Sequence, residues 1–196
     1  MALYHYSEGR IEKAYEYAVK CHTNIENIVP LGRHPIWPQT IEMLFSFGKM
    51  GFDPLPNFPY EQTMDSYLNG PNIHRRGLCR YIQAKDILSN GGDQTHAKSL
   101  LEESLSDLKR SGDLITEAKC EVALARILYN EGNINEAQKL ALQAWEILSG
   151  YGDTIFPHEI SLDSIMPLLG IDSLGTKQPT PINLFEKFIE LTDESF

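Results

Sequence analysis

Cys21 stands beside His22, the one place in this chain where a thiol and an imidazole are neighbours and could form a nucleophile and its base. The surrounding "IEKAYEYAVKCH" has helical periodicity, and adjacent residues on a helix point in different directions, so the pair does not assemble. The six His are scattered, with no HExxH and no two at helical ligand spacing, and the three Cys lie far apart, so no metal site is expected. There is no GxSxG and no P-loop, and Gly91–Gly92 reads as a helix stop. Carboxylates abound, but in stretches such as "LLEESLSDLKR" they occupy the solvated face of a helix. No catalytic constellation emerges, and neither an enzyme nor a cofactor is expected.

"LGIDSL" (169–174) matches the phosphopantetheine attachment site of acyl carrier proteins, with Ser173 in the place of the modified serine. In carriers that serine opens a long apolar helix. Here "GTKQPTP" follows, and its Gly and two Pro exclude one, so an Asp-Ser turn in a linker is the preferred reading.

The chain has 196 residues, 42% of them apolar, enough for one good core or two small ones. Its formal charge of −10 repels phosphate backbones and anionic lipid, so neither nucleic acid nor membrane is an expected partner; "HRR" (74–76) is too short a basic spot to reverse this. No apolar run is long enough to span a bilayer, and "MALYHYSEGR" lacks the layout of a signal peptide. Three separated Cys point to reduced thiols and a cytoplasmic setting.

The elements that would position any site are written more than once. "NGGDQTHAKSLLEESLSDLKRSGD" (90–113) lies without a gap over "NEGNINEAQKLALQAWEILSGYGD" (130–153), a 40-residue offset. In the later copy, "ITEAKCEVALARILYN" carries Val122, Ala125 and Tyr129 on one stripe, Gly132 supplies the positive φ of a helix stop, and Asn133 caps a second helix. Ala137, Leu140, Ala141, Ala144, Trp145 and Leu148 recur along that second helix at three- and four-residue steps. Ala125 and Ala137 flank the turn, and small side chains there let two antiparallel backbones approach closely.

Over 114–150, Leu124, Ala125, Leu128, Gly132, Ile134, Ala137, Ala141 and Ala144 match the pattern of the tetratricopeptide repeat (TPR), which this stretch resembles. The earlier copy matches through Gly92, Ala97, Leu101 and Ser104, but Lys85 falls where the family has a small residue. "SEGRIEKAYEYAVKC" (7–21) is a third copy of the second helix, with Ala2 as the small residue of a first helix that the chain enters part-way. "PQTIEMLFSFGKMG" (38–51) is an amphipathic helix, after which three prolines leave room only for a short helix at 61–68.

The resemblance implies an all-α fold: antiparallel hairpins over 1–150, stacked as a right-handed superhelix, or α-solenoid, with the first repeat truncated and 51–70 degenerate and Pro-rich. A short helix, a linker and a capping helix are expected over 151–196. It further implies a concave groove that holds a protein or peptide, with Lys119, Val122, Arg126, Tyr129 and Asn130 pointing into it. Lys119 and Arg126 would pair with an acidic feature of that partner; the alternative is that they balance Glu117 and Glu121 on a wet face. The expected function is protein interaction and scaffolding within a larger cytosolic signalling or transcription regulator. A sensor that closes its groove on a peptide or small ligand is the alternative. The bare face of the truncated repeat offers a route to self-association.

Overall fold

A computed structural model describes residues 1–7, 9–25, 38–56 and 58–149. These residues hold eight helices and no strand: α1 (Ala2–Ser7), α2 (Ile11–Ile25), α3 (Pro38–Lys49), α4 (Tyr60–Leu68), α5 (Ile73–Ser89), α6 (Gln94–Ser111), α7 (Leu114–Asn130) and α8 (Ile134–Ser149). The fold is all-α. The expectations for 151–196, Ser173 among them, lie outside the described residues.

Each helix has a local cause. Asn72, Asp93 and Asp113 cap α5, α6 and α7, their side chains accepting bonds from amides of the first turn. Helices α1, α3, α5 and α7 stop in one way. A glycine past the end bonds back three residues, and the next amide reaches back five: Arg10 to His5, Phe52 to Phe47, Gly92 to Ile87, Asn133 to Leu128. The closing glycines are Gly9, Gly51, Gly91 and Gly132, and the loop forces them to positive φ, which only glycine adopts without penalty. The same device therefore recurs every 40 to 42 residues.

These stops correct the register read from the sequence. Gly91, rather than Gly92, is the counterpart of Gly132, because the turn into α6 is one residue longer than the turn into α8. First helices are offset by 41 and second helices by 40. Ala84, fully buried, thus takes the place of Ala125, while Lys85 lies beside it with its ammonium over the Tyr81 ring. The small-residue position is kept.

Packing follows from it. Ala125, Ala137, Ala141 and Ala144 are buried together between α7 and α8, with Leu128 and Trp145 filling around them. Between α5 and α6, Gly77 lies so close that a β-carbon there would meet Leu108 at 3.0 Å, and Ser104 Oγ donates to the Gly77 carbonyl at 2.7 Å. Helix α7 packs back on α6, where the Cys120 thiol lies 3.2 Å from the Leu101 carbonyl. The first helices touch in succession, α1 with α3, α3 with α5 and α5 with α7. At α3 the pattern breaks. Leu44 stands seven residues before Gly51, where Ala84 and Ala125 precede their own stops, and Pro56 falls where Ala14 and Ala137 follow theirs. Helix α4 is correspondingly short and packs on α5.

Two substitutions test this register. Ala84→Leu should lower stability by about 1–3 kcal/mol, since added methylenes in a filled seam force the helices apart. Lys85→Leu should leave it within about 0.5 kcal/mol, as at an ordinary surface position. Urea unfolding of both variants gives the comparison, and the opposite ranking would restore the 40-residue offset for the first helices.

Candidate functional site

The residues expected to line a groove do not form one open surface. Lys119 donates to Glu42 Oε1 at 2.8 Å, and both side chains are only 12% exposed. This pair ties α7 to α3, across the side of α5 that both helices flank. Val122 is 4% exposed and packed into the α7–α8 core. Arg126 is half-buried, and loss of solvent holds its guanidinium below the ordinary arginine value. Tyr129 and Asn130, at the end of α7, are exposed. Lys119 thus meets an internal carboxylate, a partner 77 residues away that helix periodicity could not reveal.

A polar cluster lies at the mouth of the α5–α6 hairpin. Asp107, its side chain 5% exposed, accepts two parallel bonds from Arg76 at 2.7 Å and a third from Arg80. Those bonds hold its carboxyl below the ordinary carboxylate range, against the opposing effect of burial. His74 reaches Asp113, the cap of α7, at 2.9 Å. Of "HRR", His74 and Arg76 clasp α5 to the start of α7 and to α6, while Arg75 lies over the Tyr67 ring of α4, so the basic spot is structural.

Glu117 and Glu121, one turn apart on α7, face inward. Burial pushes both carboxyls above their ordinary value, and Lys109, 3.1 Å from Glu121, opposes the shift. Cys79 and Cys120 are buried and free, and burial raises both thiols to about 12, so neither is a ready nucleophile. Among the described residues no three His, Cys, Asp or Glu could hold a metal ion, and no helix is long and apolar enough to cross a membrane.

Open space lies elsewhere. Where the second helix of the α3 unit is cut short, a cleft of about 910 Å³ opens between α3, the loop after it, α4, α5 and α6. Leu44, Phe45, Phe52, Phe58, Ile87 and Leu100 form its apolar wall. Tyr60 also lines it, with a buried hydroxyl that has no hydrogen-bond partner among the described residues. Asp53, Glu61, Asp65 and Asp86 lie along the same cleft, with Lys49 bound to Asp86. The prolines of "FDPLPNFPYEQ" were legible as a defect in the pattern; that the defect leaves a cavity was not. Comparison of the chain with protein-family models, curated proteins and solved structures finds no match.

Two measurements test these assignments. A double-mutant cycle on Lys119→Met and Glu42→Gln should give a coupling of about 1–3 kcal/mol, as for a largely desolvated pair; a coupling near zero would return Lys119 to a solvated face. The second is pH-dependent stability. Raised carboxyls at Glu117 and Glu121 penalise the charged form, so their contribution should improve as pH falls from 7 toward the ordinary 4.5. Asp107, depressed below its ordinary 3.8, contributes fully above that value and loses its contribution as pH falls through its lowered pKa. Glu117→Gln with Glu121→Gln should abolish the improvement between pH 7 and 4.5 and leave the acid limb intact.

Proposed function

We propose that this chain is a non-catalytic protein-interaction segment, a right-handed array of TPR-like hairpins that holds a partner. We further propose that it belongs to a larger cytosolic signalling or transcription regulator. One observation carries the reading. The same hydrogen-bonded stop closes four helices at Gly9, Gly51, Gly91 and Gly132, and those four helices lie against one another in order. Stacked units of this kind share a continuous core and present extended surfaces, and a surface needs no chemistry to hold another chain. The inert buried thiols and the self-satisfied Arg76–Asp107 cluster agree with a role in binding.

The 910 Å³ cleft favours a second reading, a sensor for a peptide or small ligand, because its size is that of a ligand site rather than a packing flaw. The two differ in linkage. A sensor is stabilised by small ligands by an amount that grows with the logarithm of free ligand concentration above Kd, whereas a scaffold responds only to a protein partner.

For the scaffold, Tyr129 and Asn130 are the accessible part of the surface implied by the family resemblance. Tyr129→Ala with Asn130→Ala should weaken a purified partner by about 1–3 kcal/mol, the range of an interface anchor, while the melting curve stays in place. Unchanged affinity for every purified partner would remove this end of α7 from the interface.

A further inference from the structure

We propose that the cleft beside α4 receives a segment of a partner protein carrying lysine or arginine next to an aromatic or large aliphatic side chain. The proposal rests on the binding role above and adds the location and the sign of charge. The expectation drawn from Lys119 and Arg126 was an acidic partner; the open space in the molecule points the other way.

The cleft has two chemistries. Its wall is apolar and only partly covered by the protein's own core: Phe45, Phe58, Ile87 and Leu100 are all partly buried. At about 910 Å³ it is far larger than one side chain and accommodates several residues. Among the described residues, Asp53, Glu61 and Asp65 are exposed and have no ion-pair partner, and the fourth acid, Asp86, is matched by Lys49, the one lysine or arginine that the described lining holds. Three uncompensated carboxylates over an apolar wall attract a cation and repel an anion. The orphaned Tyr60 hydroxyl adds a buried polar group that an incoming backbone or side chain could satisfy.

The same charge argument chooses among occupants. Residues 150–196 contain eight Asp and Glu against two Lys, so the chain's own C-terminal segment would bring like charge to the rim. A second copy carries a net −10 and meets the same repulsion. A basic partner segment satisfies both wall and rim.

The test is peptide display against the full chain, followed by fluorescence anisotropy of the enriched peptides. Two variants leave the fold alone. Asp53→Asn, Glu61→Gln and Asp65→Asn together remove the rim charge at exposed positions. Gly48→Phe narrows the cleft, since Gly48 is one of its lining residues and a β-carbon at this helical glycine would meet nothing within 4 Å. The expected result is enrichment of Lys or Arg beside Phe, Trp, Leu or Ile. Affinity should weaken with added salt, fall about tenfold in the triple variant (three exposed ion pairs) and be lost in Gly48→Phe. Enriched peptides that are neutral or acidic, yet blocked by Gly48→Phe, would overturn the charge assignment and leave the binding role standing. Basic peptides that bind both variants as they bind the wild type would overturn the location. Spermidine binding as tightly as the peptides would make this a small-cation site and overturn the partner segment. If no peptide is enriched at all, this proposal falls, while the binding role is decided separately by the purified-partner test at Tyr129 and Asn130.

Discussion

Close approach of two helix backbones is the condition on which the rest of the structure depends. Between α7 and α8 it is met by Ala125 and Ala137, between α5 and α6 by Gly77, Ala84, Ala97 and Ser104, and near α1 and α2 by Ala14 and Ala18. Small side chains bring backbones near enough for larger neighbours to close over the seam, and dispersion contacts accumulate along its length. A hairpin closed in this way still leaves an apolar stripe on its outer side, so the next hairpin is recruited by burial rather than by any specific bond. Glycine at each first-helix stop then sets the reversal that repeats the arrangement.

Seen from that condition, the cleft is the place where it lapses. Leu44 holds the small-residue position of α3 and Pro56 the corresponding place after the stop, so the two backbones cannot meet there. The chain after Gly51 instead lays aromatic rings against α2 and α3: Tyr15 packs edge-on to Phe47 and lies 4.7 Å, centroid to centroid, from Phe52. Helix α4 returns only in time to cover α5. The molecule is bulky here in side chains and open in backbone, the inverse of the α7–α8 seam.

How much of this the sequence disclosed can be judged residue by residue. Positions that depend on near neighbours were readable: Gly132 as a stop, Ala125 facing Ala137, the helix beginning at Pro38, the short helix after the prolines. The register of the earlier copy was misread by one, because a single extra residue in a turn is invisible to a gapless overlay that is matched mostly on the second helix. The site was less legible. Periodicity assigns a face, and Lys119 and Arg126 share one, but what opposes that face is decided by stacking over long sequence distance. Glu42 could be found only in three dimensions, and so could the cavity that follows from Leu44 and Pro56.

Glu42 and Leu44 sit two residues apart on one short helix, the first gripping Lys119 of α7, the second bordering the cleft. Both side chains ride near the middle of one twelve-residue helix, so a side chain wedged beside Leu44 that displaces the helix displaces Glu42 with it. Reciprocity then holds in both directions: whatever work filling the cleft does on the strut between α3 and α7, loosening the strut returns as a change in the cleft's affinity. In this sense the strut and the cleft form a single balance, carried by α3.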